Sequence, residues 1–406
     1  MSPRHTHYDM IFLGGGCAAL SLLVRLLRSG HFSSARFLVI DRDRKKTNDR
    51  TWCFWEKGDN YFESVVYRKW EHLNFFSTDF AAPLQLNGYR YKMIRAVDFY
   101  SYCLEVLEQS GQVEWVEAAV TEVSRTNNKV MLKGYVGAGA ASSPIELTAS
   151  TAPLASDAAF TWHLDASLVF NSIYKPATTS ARQIDLLQHF KGWIIETDLD
   201  TFDPYRATLM DFRVNQQEGA TFVYVMPFSK RRALVEYTLF TATLLSPAAY
   251  EQGLRDYIEK QLGIHSYKVV EEEFGIIPMT TQSFSFYKDG IFNLGTAGGQ
   301  TKASSGYTFQ FIQKQSARIV QQLLHEKPLQ TLPGDSRRFH FYDRVLLQVL
   351  AKGYWPGDKV FARLFARNSA SQIFRFLDNE TSLSEELSII SSLPTWPFLK
   401  AASSVI

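Results

Sequence analysis

The chain opens on an apolar strand, Tyr8 to Leu13, that runs through Gly14-Gly15-Gly16-Cys17-Ala18-Ala19 into an apolar helix, and a second strand, Ala35 to Ile40, ends at Asp41. Ala96 to Leu107 has the pattern of a helix packing on the same sheet, and Val113 to Leu132 that of strands joined by a turn at Asn127-Asn128. The Gly, Ala and Ser of Gly134 to Ala159 predict an exposed loop between strands. Between 181 and 245 long alternating stretches, such as Thr221 to Met226 and Ala233 to Phe240, suit an antiparallel sheet over a ligand. A helical tail is expected after Ser316. Within it Val360, Phe361, Leu364, Phe365, Ile373, Phe374 and Phe376 alternate with Lys359, Arg363, Arg367 and Arg375. That is the composition of a basic amphipathic surface helix or helix pair, or of helices packed on a core with a solvated basic face.

Strand, glycine turn, helix, strand and terminal acid, in that order, make a dinucleotide-binding βαβ unit. Gly14 allows the tight turn, Gly16 lets backbone N–H groups approach a pyrophosphate, and Ala19 is small enough for the helix to pack closely on the sheet. The helix N-terminus then faces the phosphates. Asp41, roughly twenty residues beyond the turn, can accept hydrogen bonds from an adenosine ribose.

Almost at once after that acid comes Asn48-Asp49-Arg50-Thr51-Trp52-Cys53-Phe54-Trp55-Glu56, which resembles the Asn-His-Thr-Trp-Ser-Phe-His stretch of the lycopene cyclases. Leu209-Met210-Asp211-Phe212-Arg213 resembles their Phe-Met-Asp-Tyr/Trp segment. Phe222 to Ser229 followed by Ala233 to Thr238 resembles the strand pair carrying their Phe-Leu-Glu-Glu-Thr motif, and Gly295-Thr296-Ala297-Gly298-Gly299 with Ser305-Gly306-Tyr307 their flavin-closing loop. Phe341 to Arg344 and Arg375 to Asp378 have counterparts in the family's helical tail. The likeness spans nearly the whole chain.

The resemblance implies an α/β fold: a Rossmann-like FAD-binding domain of the flavoprotein hydroxylase (GR2) type, an inserted antiparallel-sheet substrate domain and a helical C-terminal tail. The expected FAD-binding domain is 1–60, 90–180 and 270–330, with Leu168 to Phe170 as its second flavin segment. The substrate domain is 61–89 and 181–269, and the tail 331–406. FAD, active when reduced by NAD(P)H, would be held by Gly14, Gly15, Gly16, Ala18, Ala19, Asp41, Arg50, Thr51, Trp52, Gly295 to Gly299, Lys302, Gly306 and Tyr307.

Composition is compatible with this. A chain of 406 residues fits two intimately joined domains or one elaborated one. The balance of 43 basic to 41 acidic residues offers no field for nucleic acid. Thirty Phe and nineteen Tyr suit a hydrocarbon cavity, though core packing accounts for most of them. Cys17, Cys53 and Cys103 show no metal-ligand spacing or disulfide framework, as expected in a reducing cytosol. No signal peptide is expected ahead of the first strand, and no segment reaches eighteen uninterrupted apolar residues; the resemblance, through a substrate dissolved in the bilayer, implies a cytoplasmic location, peripheral on the inner face of the membrane.

Closing an end ring on a polyene needs a proton delivered to a terminal double bond and a different proton removed afterwards, with no net redox change. A carboxylic acid in an apolar cavity suits both steps, because burial keeps it protonated until needed. Glu236, among Leu234, Val235, Tyr237 and Leu239, matches the first Glu of the family's motif, the position the family uses as its acid. The second Glu is Tyr237 here, so a scheme on adjacent glutamates does not carry over. The family's His is Lys302, which could neutralise a reduced flavin's charge. Asp211 is a second candidate carboxylate, or a strand-end partner of Arg213 or Arg206. The resemblance further implies that reduced, anionic flavin stabilises the cationic intermediate, and Trp52, Phe54 and Trp55 could add cation–π stabilisation or pack under the adenine half. The implied activity is lycopene β-cyclisation, lycopene to γ-carotene to β-carotene, beside the membrane and other carotenoid-pathway enzymes. A flavin-dependent hydroxylase or reductase, an ε- or one-end cyclase and a non-catalytic nucleotide sensor remain alternatives on the same scaffold.

Overall fold

A computed structural model of the chain describes residues 2–136, 158–176, 183–332, 334 and 336–405. The opening pattern becomes β1 (His7–Leu13), α1 (Cys17–Arg28) and β2 (Phe37–Asp41). Nine of the twelve residues of α1 are buried, as an all-round apolar helix requires. Five short strands follow: β3 (Thr51–Lys57), β4 (Arg68–Trp70), β5 (His72–Phe76), β6 (Ala81–Leu84) and β7 (Tyr89–Arg95). Then come α2 (Ala96–Ser110), β8 (Val113–Glu117), β9 (Ala119–Thr126), β10 (Lys129–Val136) and β11 (Ala158–Asn171). Asn127, at the expected turn between β9 and β10, takes the left-handed conformation that Asn tolerates. Most of the expected small-residue loop, 137–157, lies outside the described residues. Its ends are strand instead, Gly134 pairing with Phe160 and Tyr135 with Ala159. A side chain at Gly134 would strike the Ala119 carbonyl, so the small residue there serves close strand approach rather than a loop.

The middle of the chain is β12 (Asp185–Thr197), β13 (Arg206–Asp211), β14 (Ala220–Pro227), β15 (Arg232–Thr241), α3 (Pro247–Asp256) and β16 (Tyr267–Thr280). After β17 (Tyr287–Lys288) and β18 (Ile291–Asn293) the chain ends in α4 (Phe309–Leu324), α5 (Arg337–Ala351), α6 (Gly357–Arg367), α7 (Ala370–Leu377), α8 (Leu383–Ser392) and α9 (Thr395–Val405).

These strands form three sheets. The first runs β17-β18-β11-β1-β2-β8, parallel from β18 to β8, with β10 and β9 attached through β11. Helices α1 and α4 pack on one of its faces through a core that includes Leu20, Leu22, Phe309 and Ile312. The second, β16-β12-β15-β14-β13-β5-β6, is antiparallel except where β13 meets β5. β16 belongs to this sheet as far as Thr280, beyond the expected boundary at 269. The third sheet, β3-β7-β4, joins the cores of the other two, giving Phe54 and Ile94 to the first and Trp55, Tyr91 and Met93 to the second. It is tied to the second by the Trp70 indole, which donates to the Pro227 carbonyl at 3.1 Å.

Every residue of β14 is buried, because the second sheet is covered on both sides. On one face Val223, Val235 and Tyr237 meet Tyr250, Leu254 and Tyr257 of the α3 region. On the other, Phe222, Tyr224 and Phe240 meet the third sheet and the helical tail. The tail's basic amphipathic pair is α6 and α7, and its apolar side is spent on this core. Phe361 stacks on Phe212 at 5.5 Å, Phe365 on Phe75 at 4.6 Å and Phe374 on Trp55 at 4.5 Å. The basic side is engaged as well: Lys359 pairs with Asp79 at 2.6 Å, Arg375 with Glu385, and Arg363 donates to the Ser392 carbonyl. Core packing, rather than a lipid surface, therefore explains this segment's pattern.

Candidate functional site

Strand β3 lies where the nucleotide half meets the second sheet, and its two-residue period divides the Asn48–Glu56 segment between them. Trp52 and Phe54 turn into the nucleotide-side core, Trp52 edge-on to Phe99 at 5.4 Å and Phe54 stacked on Phe309 at 4.6 Å. Thr51, Cys53 and Trp55 turn the other way. Thr51 Oγ1 donates to Glu273 at 2.9 Å, Cys53 Sγ lies 3.5 Å from Met226 Sδ, and Trp55 meets the ring of Tyr307 at 4.4 Å. Of the three aromatics considered for cation stabilisation, Trp55 alone points toward the second sheet. The Thr51 hydroxyl is engaged with the Glu273 carboxyl group.

Glu236 sits mid-strand on β15, opposite Tyr224 of β14 and Gly192 of β12. Its residue is 9% exposed, and Thr238 Oγ1 donates to its Oε1 at 3.0 Å. Burial, and after it the neighbouring Glu273 carboxyl, push the Glu236 carboxyl well above the usual range, against the opposing Thr238 hydroxyl. Tyr91, Tyr224 and Tyr307 lie beside it, with the Tyr91 and Tyr307 hydroxyls hydrogen-bonded at 3.2 Å. Burial raises all three phenols, so they stay neutral. The result is a carboxyl group whose burial favours its protonated form, faced by aromatic rings and thioether. Such a group can deliver a proton to an apolar substrate and cannot readily lose it to water.

Glu273 was not among the candidates from sequence. It ends the run Glu271-Glu272-Glu273, which reads as a solvated charge cluster, and Glu271 and Glu272 are indeed exposed. Only the pairing of β16 with β12 turns the third glutamate toward Glu236.

The glycine turn forms an open cradle. Gly14 has φ of +88° and lies so close to Ser172 that a Cβ would fall 2.4 Å from its hydroxyl, which explains the need for glycine. At Gly15 a Cβ would meet the Trp115 ring. At Gly16 it would meet nothing within 4 Å, so the space ahead of α1 is free. Asp41 accepts from the Gly15 N–H at 2.6 Å and pairs with Lys45 at 3.1 Å, bracing the turn. Arg50 lies near Cys17 at the α1 N-terminus, adding positive charge where backbone N–H groups already point. Ala18 meets Gly295 at a would-be Cβ distance of 3.0 Å, and Ala19 is buried. Gly295 to Gly298 form a 3-10 turn, followed by Gly299 with left-handed φ. A cavity of about 300 Å³ opens beside this loop at the carboxyl ends of the parallel strands, lined by Leu13, Asn171, Tyr174, Phe284, Asn293 and Ala297. The donors, the open volume and the left-handed turns fit a bound dinucleotide.

Three expected roles meet a different arrangement. Asp211 pairs with Val223, which pairs with Tyr237, so it belongs to the opposite face of the sheet from Glu236. It is fully buried, accepting from Arg213 Nε at 2.9 Å and Nη2 at 2.7 Å and from the Tyr257 hydroxyl at 2.8 Å. It is a strand-end ion-pair partner, as the second reading of it allowed. Lys302 is buried with Nζ 2.8 Å from both Asp343 and Asn379, so its charge is paired with the helical tail. Gly306 lies against Gln188, and Tyr307 points to Trp55 and Tyr91, into the carboxyl site.

The family model described as "Lycopene cyclase protein" matches residues 9–403. The chain is 29% identical over 225 residues to the lycopene beta-cyclase of Paracoccus sp. (strain N81106 / MBIC 01143), covering 52% of this chain and 57% of that protein. It is 26% identical over 284 residues to the lycopene beta-cyclase of Pantoea ananas, covering 68% and 63%. The matched parts thus span about six tenths of these relatives. Among solved structures, a geranylgeranyl bacteriochlorophyll reductase-like protein from Thermoplasma acidophilum superposes with a TM-score of 0.64 at 13% identity, covering 98% of this chain and 99% of that one. A flavoprotein/dehydrogenase from Cytophaga hutchinsonii gives 0.57 at 11%, covering 98% of both. The architecture is therefore the flavoprotein fold expected from the resemblance, with its antiparallel sheet inserted and its helical tail behind. With the family match running across nearly all of this fold, and through every strand that carries the buried carboxyl site, the chain belongs to the lycopene cyclase family.

Proposed function

We propose that the protein is a lycopene β-cyclase, an isomerase that closes the ψ end groups of lycopene to β rings by proton addition and removal. The observation that carries this reading is Glu236, a carboxyl group kept protonated by burial among aromatic rings on the inner face of the second sheet. Glu236 delivers the proton to the terminal double bond. Tyr224, Tyr91, Tyr307 and Trp55 exclude water and present π faces to the cation that follows, which a dry site makes worth about 2 kcal/mol. FAD would be held by Gly14 to Gly16, Asp41, Arg50 and Gly295 to Gly299, and when bound and reduced by NAD(P)H it would supply negative charge that stabilises the cation. The test is product analysis after supplying lycopene in vesicles to the flavin-loaded protein with NAD(P)H. Bicyclic product of unchanged mass is expected. Oxygenated or saturated product would make it a hydroxylase or reductase instead.

A substrate confined to lipid requires a protein that docks there. No helix of the described residues is long and apolar enough to cross a membrane. The surface that suits the bilayer is the outer side of α8 and α9: Leu383, Leu387 and Ile390 recur at helical spacing on α8, and Trp396 and Leu399 stand out on α9, Leu387 67% and Trp396 75% exposed. Burying such side chains contributes about 1.5–3 kcal/mol each. The double variant Leu387→Asp, Trp396→Asp should therefore weaken vesicle sedimentation at least about tenfold, while charge reversal at Arg367 changes it little. The opposite pattern would return the docking surface to the basic face of α6.

A further inference from the structure

We propose that Glu273 is the second carboxyl group of the acid–base site, sharing one proton with Glu236 across the empty side-chain position of Gly192. This rests on the cyclase reading for what the proton does, though not for where it sits.

The register brings the three residues into one row. Gly192 on β12 pairs with Glu236 on β15 on one side and with Glu273 on β16 on the other. Adjacent strands are about 4.8 Å apart, so the two glutamate backbones stand roughly 9–10 Å apart with the glycine between them. Any side chain at 192 would separate the carboxyl groups. A Cβ built there would fall 2.8 Å from Glu273 Cγ, 3.0 Å from Glu273 Oε1 and 2.9 Å from Leu234 Cδ1. Glu273 thus leans over the glycine toward Glu236, whose carboxyl it pushes up. Glu273 Oε2 accepts from Thr51. Its buried Oε1 has no donor elsewhere. Two adjacent carboxylates in an apolar site are strongly disfavoured, so one proton held between them both relieves the repulsion and gives the buried Glu273 Oε1 a donor. The groups facing the pair are Thr51 and Cys53 of β3, Tyr91 of β7, Tyr224 of β14, Thr238 of β15 and Tyr307, all neutral at neutral pH; Glu271, two residues along β16, is paired with Arg232.

The pair supplies the base that the sequence leaves unassigned. Glu236 gives its proton to the terminal alkene carbon, forming a C–H bond and a carbocation and leaving two adjacent carboxylates. The carbocation closes on the second double bond. A ring C–H proton then returns to the doubly ionised pair, whose mutual repulsion makes it basic, and the C–H electrons become the ring double bond. One proton enters, one leaves and no electrons are exchanged. Glu273 acts through Glu236 and is a positioning residue.

The experiment uses flavin-loaded Glu273→Gln and Gly192→Ala beside wild type. In Glu273→Gln, kcat on vesicle-borne lycopene should fall about tenfold or more with KM little changed, and the alkaline limb of the pH profile should move down by about a unit or more, because the charge that holds the proton on Glu236 is gone. Gly192→Ala should lower kcat while leaving bound flavin intact. The infrared band of the protonated carboxyl, absent from Glu236→Gln, should titrate at lower pH in Glu273→Gln, a readout that needs no substrate. An unmoved alkaline limb and an unmoved infrared titration in Glu273→Gln would overturn the shared proton. Absence of cyclic product from wild type would overturn the cyclase reading alone, leaving the infrared result to decide the pair.

Discussion

Glu236→Gln is expected to lower cyclisation at least about a hundredfold, the scale for a positioned general acid, while bound flavin and thermal unfolding stay as in wild type. The amide keeps the shape of the carboxyl group and can still accept from Thr238 and donate to Glu273, but it has no acidic proton to give. Turnover on vesicle-borne lycopene, measured with flavin absorbance and thermal unfolding on the same preparation, checks it. Asp211→Asn is the contrast. Asp211 is held on the far face of the sheet by Arg213 and Tyr257, so its loss should lower the unfolding midpoint and leave turnover per folded molecule nearly unchanged. Near-normal turnover in Glu236→Gln would transfer the acid role to Glu273.

Gly16→Val should yield a folded protein without flavin. The backbone there is extended, φ −81° and ψ −171°, which any residue adopts, and an added Cβ touches nothing within 4 Å. What the valine occupies is the free space ahead of α1, where a pyrophosphate would meet the helix's unpaired N–H groups. Flavin absorbance after purification should be lost, with far-ultraviolet dichroism and unfolding midpoint retained. Gly15→Ala would not make this distinction, because its Cβ collides with Trp115 and disturbs the protein itself. Stoichiometric flavin in Gly16→Val would place the cofactor elsewhere.

Much of this architecture was legible because it rests on local chemistry. The β1–α1–β2 unit follows from an apolar strand, three glycines and small residues at Ala18 and Ala19, and the expected helix from Ala96 and turn at Asn127-Asn128 form where the pattern places them. Glu236 could be singled out because it stands among apolar residues on its strand and matches the first Glu of the motif that the lycopene cyclases carry. The same alternation could not say which of Trp52, Phe54 and Trp55 faces the carboxyl site, since a two-residue period gives two faces without naming their neighbours.

What the sequence by itself determined is therefore the nucleotide unit, the inserted sheet and the isolated acid, each carried by residues adjacent along the chain. Only the tertiary structure decided what those residues meet. Asp211 could be a second acid or a strand-end ion-pair partner until strand pairing put it across the sheet beside Arg213, and that Lys302 meets Asp343 of α5 could not be read from its own segment. The α6–α7 stripe is amphipathic for either a membrane or a core, and the sheet beneath it made the choice, leaving α8 and α9 exposed. Glu273 and Gly192 lie 81 residues apart in sequence, and neither is distinctive alone. Long-range strand register is set by the summed burial of whole faces rather than by any local signal, and it is this register that joins a charge cluster, a glycine and a buried acid into one site.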